Sequence, residues 1–555
     1  MTSSSPTESS TSALDRAVAR LRANLAAAGI PADAAEIDAI VERGFLQTAI
    51  AFEAIVAKAP VDLVPDYLGA WDLPGRREPA ESPEPAQPAT PLDDLPKPSA
   101  ETSRYSTLIE TARRIRLREM TVPYHLDRVL ARIKEREPIL NGFQVTFHDE
   151  AMAQSYEADK EISSGNYRGP LHGIPVAVKD LLAMRGTVTT AGSKILAGTT
   201  TDYDSAAVER LRAAGAIIVG KTKMSEFAFS PGSNNGHYGP THNPWNLEHD
   251  TGGSSSGSAA VVADGLVAAA LGSDTGGSIR MPAALCGIVG LKPTFGLVSL
   301  YGGVMLCWSL DHLGPMTRSV ADAAVMLNVL AGYDPRDPRT RPIQLPDYTA
   351  GLDAGVAGLR IGVITDAGSG DGLGEPDAVA AWKDGLEALA RNGAELVEIP
   401  MPQLEDLRIL NSAIIAREAI AFHEPMMREH LSDYADYSRP RFLSLYGYPL
   451  QALVRAEQAR IAIRQELNEL WDRIDLLSTP TMRYGAPPLG DPSRNTYFTS
   501  PFNCLGWPAI TVPVGMTEDR LPLGLQLVGK PWHDATVLRA ALVVESDGPW
   551  PGGHP

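Results

Sequence analysis

Cysteine is nearly absent: Cys286, Cys307 and Cys504 are the three in 555 residues, with no CxxC pair and no even-numbered framework. Neither a disulfide scaffold nor a zinc ribbon can be assembled from them, and the chain suits a reducing compartment. Positive charge is in deficit. Lys and Arg number 49 against 67 Asp and Glu, a formal charge of −18, which argues against a basic face that would neutralise nucleic-acid phosphates. Long apolar runs are also lacking, since the small-residue run from Ala259 to Leu271 is interrupted by Asp264 and is too short to span a bilayer. The opening MTSSSPTESSTS has neither the basic start nor the apolar centre of a secretory signal. These deficits predict a cytoplasmic protein with no membrane and no nucleic-acid partner.

What is present is the composition of a globular protein, 44% hydrophobic and 21% charged, with length for one very large α/β domain plus an extension. Residues 1–12 are Ser/Thr-rich and are expected to be a disordered tail. An N-terminal helical module is expected over 13–73. Its first helix is capped by Ser12, carries Leu14, Val18, Leu21 and Leu25 on one face, and ends at Gly29. Its second is predicted as one helix over 32–57, with Ile37, Ile40, Val41, Phe45 and Phe52 as core candidates. Eight prolines between Pro74 and Pro98 make 74–103 a linker or strap. The catalytic domain is placed at 104–545 and a flexible tail at 546–555.

Inside the large domain, a helix bearing Val129 and Ile133 is predicted to stop at Glu137-Pro138. Strands are predicted at 175–179, 216–219, 360–364, 395–399, 476–478, 509–513 and 524–529, interleaved with helices in an α/β pattern. Gly215 and Gly220-Lys221-Thr222 have phosphate-loop spacing, but the residues between them are a strand, which cannot wrap a phosphate. His237, His242 and His249 lie among turn residues at no metal-pair spacing, so no metal and no cofactor is predicted.

The chemistry concentrates between Asp250 and Pro282. Two Gly-Gly-Ser elements, Gly252 to Ser254 and Gly276 to Ser278, free backbone N–H groups beside a hydroxyl, the material of an oxyanion hole next to a nucleophile. Asp274, Arg280 and Pro282 bracket the second element, which marks a buried turn rather than a linker. Lys179 ends the apolar strand fed by Gly173 and Pro175, where desolvation lowers an amine towards the range of a base.

Gly173 to Asp180, Gly252 to Ser258, Asp274 to Arg280, and Gly506-Trp-Pro-Ala509 with Gly524 to Gly529 together resemble the amidase signature family in order and spacing, over roughly 105–545. The resemblance implies an α/β amidase signature fold, a large mixed β-sheet core flanked by helices, to which the N-terminal helical module is added. It also implies a Ser-cisSer-Lys triad: Ser278 as nucleophile, Ser254 as the serine on a cis peptide bond, Lys179 as base. The N–H groups of Thr275, Gly276, Gly277 and Ser278 would form the oxyanion hole, with Ser255, Asp274 and Arg280 in support. Position 256 is Ser where the family usually has Gly.

The implied function is amidohydrolysis of a carboxamide, anilide or carbamate (urethane) through a seryl acyl-enzyme, as in an aryl acylamidase or urethanase. The partner is then a small-molecule amide or carbamate. The Ser309 to Pro315 stretch supports an alternative, the glutaminase subunit of a tRNA-dependent amidotransferase, and a non-catalytic binding protein on the same scaffold is the reading from another class. Phe227, Phe229, Tyr301, Trp308 and Trp507 are the candidate substrate-pocket residues. The N-terminal module is expected to cover a surface or to pair two subunits in a homodimer.

Overall fold

The computed structural model describes residues 12–58, 91–95, 105–368, 370, 372–491, 496–550 and 555. Residues 1–11 of the tail predicted over 1–12, most of the proline-rich stretch and residues 551–554 lie outside the described residues. Within that stretch, 91–95 is described: Leu92 and Leu95 are buried and their carbonyls accept from Arg113.

Thirteen strands form among the described residues: β1 Phe143–Thr146, β2 Pro175–Lys179, β3 Ile217–Thr222, β4 His242–Asn243, β5 Asn246–Asp250, β6 Ala269–Asp274, β7 Val289–Lys292, β8 His312–Thr317, β9 Arg360–Asp366, β10 Glu395–Pro400, β11 Leu476–Pro480, β12 Ala509–Met516 and β13 Pro522–Gly529. Eleven make one mixed sheet in the order β1-β3-β2-β6-β8-β7-β12-β13-β11-β9-β10, and β4-β5 is a separate ribbon. Adjacent residues of β13 meet opposite layers. Gly524 faces Ala284 of the helix Arg280–Cys286, whereas Leu525 packs against Gly385 of the helix Pro376–Arg391. Burial on both faces explains why β2, β3, β6, β11 and β13 are buried throughout and show no polar alternation.

Two of these central strands, β6 and β8, were not expected. The small-residue block that opens at Ala259 divides between the helix Ser256–Ala263 and β6. Gly265 makes the break at φ +70°, and a side chain there would strike the Tyr105 ring. The helix expected to stop before Pro138 runs Val122–Leu140 and ends at Asn141, φ +54°. Pro138 sits in the final turn, where its missing N–H forfeits a single helical bond.

The N-terminal module comprises α1 Ala13–Ala28, α2 Ala34–Glu42 and α3 Gln47–Lys58. Ser12 and Asp15 form a reciprocal cap on α1, and Gly29 closes it in the left-handed region. The second expected helix is thus two, separated at Gly44, φ +67°. The module covers a surface of its own chain, a layer formed by the helices Gln403–His430, Arg439–Ser444 and Leu450–Asn468. Leu21, Ile40 and Phe52 are fully buried, each worth about 1.5–3 kcal/mol in apolar transfer. Arg20 Nε and Asn24 Nδ2 donate to the Gly447 and Tyr446 carbonyls, both at 2.7 Å. No helix among the described residues is long and apolar enough to cross a membrane.

Candidate active site

β2 and β6 are parallel neighbours, with Val176 opposite Ala269 and Ala177 opposite Ala270. Their C-terminal ends therefore carry Lys179 and the Ser273-Asp274 pair side by side, at the edge where open α/β sheets place their ligands. The loop 252–255 enters the helix Ser256–Ala263 through a cis Gly253–Ser254 peptide. The loop 275–279 leads from β6 into the helix Arg280–Cys286. Ser255 N–H donates to Ser278 O at 3.3 Å, tying the two loops together.

Lys179 is fully buried, and its Nζ lies 2.8 Å from Ser254 Oγ, 2.9 Å from Ser255 Oγ and 2.8 Å from Ser273 Oγ. Burial lowers the amine to about 7, against the opposing pull of Asp274 and Asp311. Three hydroxyls saturate the donors of an ammonium. A neutral amine has two N–H groups and a lone pair, so one of the three must then donate to it. Ser255 Oγ already donates to Ser273 O at 3.1 Å, which leaves Ser254 or Ser273 to do so.

Asp274 fixes the second loop. Its carboxylate accepts from Gly277 N at 2.7 Å, Ile279 N at 3.1 Å, Asn503 Nδ2 at 2.8 Å and the Arg280 guanidinium at 3.0 and 3.1 Å. Burial alone would raise this acid, but Arg280, Lys292 and the hydrogen bonds prevail and hold it below the usual carboxylate range. Arg280 is equally buried and reaches Gln526 Oε1 at 2.8 Å and Asn503 Oδ1 at 2.6 Å. Of the four residues expected to supply oxyanion donors, Gly277 spends its N–H on Asp274, which leaves Thr275, Gly276 and Ser278 as the candidates. Those three line the cavity.

That cavity, about 190 Å³, is also lined by Phe229, Arg441, Tyr448 and three residues of the N-terminal module, Gly44, Phe45 and Thr48. Of the five aromatic residues expected to line a pocket, Phe229 does. Phe227 packs edge-on against His423 in the core, Tyr301 lies under Arg336, Trp308 is 47% exposed, and Trp507 is buried against Trp471. Aromatic rings serve core and pocket alike, so their identity alone did not place them.

Several site residues carried no signal in the sequence. Ser273 precedes Asp274 in an unrecognised strand. Asp311, raised by burial to about 6, accepts from Thr275 Oγ1 at 2.5 Å and from the Leu306 and Cys307 N–H groups. Glu418 accepts from Ser309 N and Oγ at 3.0 and 2.6 Å. The Ser309 to Pro315 stretch thus braces the loop after β6. Asn411 Nδ2 donates to Thr275 O at 3.1 Å.

Three comparisons bear on this geometry. The sequence model of the Amidase family matches residues 125–538. A glutamyl-tRNA(Gln) amidotransferase subunit of Chloroflexus aurantiacus is 42% identical over 440 residues, 74% of this chain and 90% of that one. Among solved structures, a chain from a vestigial protein complex that reveals the evolutionary origins of an s-triazine catabolic enzyme superposes with TM-score 0.76. It shares 34% identity over 79% of this chain and 98% of that one. The peptide amidase of Stenotrophomonas maltophilia follows with TM-score 0.67 and 31% identity over 80% and 96%.

Proposed function

Because the chain belongs to the amidase signature family and is an enzyme acting on C–N bonds, we propose that it hydrolyses a small carboxamide, anilide or carbamate through an acyl-enzyme on Ser278. The observation that carries this reading is the buried amine of Lys179, lowered to about 7 and 2.8 Å from Ser254 Oγ.

Neutral Lys179 accepts the Ser254 proton while Ser254 accepts the proton of Ser278, whose oxygen adds to the substrate carbonyl. The tetrahedral oxyanion is held by the N–H groups of Thr275, Gly276 and Ser278, each such donor being worth about 3 kcal/mol in comparable sites. The relayed proton passes to the leaving nitrogen as the C–N bond breaks. Water then adds to the acyl-enzyme, giving its proton to the same relay, and Ser278 leaves with it. Asp274 and Arg280 hold the loop but touch no reacting atom.

A second reading, the glutaminase subunit of a tRNA-dependent amidotransferase, is favoured by the curated relatives, which carry the amidotransferase name. The cavity favours the first, because no Asp or Glu lines it among the described residues to receive glutamine's α-ammonium. The purified chain assayed alone on aliphatic amides, anilides, aryl carbamates and glutamine separates the two. Turnover of non-glutamine amides, lost in Ser278→Ala, supports hydrolysis. Strict glutamine dependence and co-purifying subunits support the amidotransferase.

A further inference from the structure

Gly44, Phe45 and Thr48 line the cavity that holds Ser278, although the module they belong to lies outside the residues matched by the family. They reach it because the apolar stripe over 32–57 is interrupted at Gly44, whose φ of +67° turns the chain between α2 and α3. The turn is pinned from several sides. Leu46 is buried against Gly447, where any side chain would strike it. Glu36 of α2 pairs with Arg439 at 3.2 Å, and the Ala28 carbonyl accepts from Arg428 Nε. Leu46 thus does the packing, whereas Phe45 beside it is half-buried and keeps part of its ring free. The Arg441 guanidinium carbon lies 6.0 Å from the Phe45 ring centroid and 4.6 Å from that of Phe229, so both rings neighbour one side chain of the cavity. Apolar surface left partly open at a cavity wall is stabilised by an apolar group placed against it, and a rigid ring there sets how long that group can be.

Resting on the amide-hydrolase reading above, we infer that Phe45 is a specificity-determining residue: its ring bounds the cavity and sets the longest apolar chain that the substrate can carry. The favoured amides then have a short chain, in keeping with a cavity of about 190 Å³, below the range usual for drug-sized ligands. The triad supplies the chemistry, and the added N-terminal module supplies the length limit.

The test measures kcat/KM of the full chain on two homologous series, primary amides from acetamide to octanamide and N-alkylacetamides from N-methyl to N-octyl. In the series whose chain enters the cavity, kcat/KM should rise with length and then fall. Phe45→Ala should move the turning point to longer chains, with about a fourfold gain for each methylene newly accommodated. Phe45→Trp should move it to shorter ones. Opposite displacements in the two variants exclude simple damage to the module, which would lower all lengths together. An unchanged turning point in both series overturns the inference. A readout without amide turnover keeps it distinct from the hydrolase reading: the rates at which fluorophosphonates with short and long alkyl chains modify Ser278. Phe45→Ala should raise the long-to-short ratio roughly tenfold, and Phe45→Trp should lower it. An unchanged ratio overturns the length limit even if amides are hydrolysed. A shifted ratio without hydrolysis of any amide leaves the limit standing and removes the hydrolase.

Discussion

Ser273 Oγ lies 2.8 Å from Lys179 Nζ, completing with Ser254 and Ser255 a shell of three hydroxyls around a fully buried lysine whose hydrogen bonds all go to uncharged groups. The amine is held in a polar but uncharged nest, where burial lowers its basicity against the pull of Asp274 and Asp311.

Ser273→Ala removes an acceptor from both forms of the amine, but the charge-assisted bond to the ammonium is about twice as strong as that to the free base. The Lys179 pKa should therefore fall by about one unit, the equivalent of a hydrogen bond to a charged group. The expected result is an acid limb of kcat/KM displaced to lower pH with less than about a tenfold loss on the plateau. A pH profile distinguishes this from simple structural damage, which would lower the plateau and leave the limb in place.

Asp274→Asn leaves Arg280 charged, buried and short of its counter-ion. A loss of about 3–5 kcal/mol is expected, read as a lower midpoint in urea at unchanged slope. Activity should fall as well, because Gly277 and Ile279 lose their charged acceptor and the loop holding Ser278 is freed.

Gly277 has φ +133°, and a Cβ there would lie 2.2 Å from Thr499 Oγ1, which itself donates to Gly276 O at 2.7 Å. Gly277→Ala should displace that contact and tilt the Thr275 and Gly276 N–H groups. We expect about a 100-fold loss of kcat, comparable to losing one oxyanion donor, with KM changed little. Steady-state kinetics on any accepted amide reads it.

Legibility followed distance along the chain. Lys179, Ser254, Ser278, Asp274 and Arg280 announced themselves because glycines, small residues and a lone charge cluster locally around each of them. Arg441, Asp311, Glu418 and Asn411 reach the site from separate elements and look, in sequence, like ordinary helix or loop residues. β6 and β8 went unread because AALGSD and HLGPMT lack β-branched runs and contain glycine or proline, and pairing between buried neighbours makes them strands. Tertiary packing also split the module's second helix at Gly44, which a continuous apolar stripe had hidden.

Glu545 gives a stability prediction remote from the chemistry. Burial, reinforced by Asp322, raises its carboxyl to about 8 from an ordinary 4.5, while Val320 N–H donates to it at 2.8 Å. A raised folded-state pKa means stability that is complete below about pH 4.5 and is lost as pH climbs through 8. Glu545→Gln keeps the acceptor without the charge. It should melt higher than the parent near pH 9 and no higher near pH 5, as followed by thermal denaturation at the two pH values.

The most direct measurement is the rate at which a fluorophosphonate modifies Ser278 as a function of pH, with the modified residue located by peptide mass. The rate should climb about tenfold per unit up to pH 7, where Lys179 loses its proton, and then level off. In Lys179→Met it should be about 1000-fold lower and flat. A rate independent of pH between about 5 and 9 in the parent protein, or label found on a residue other than Ser278, would contradict the account.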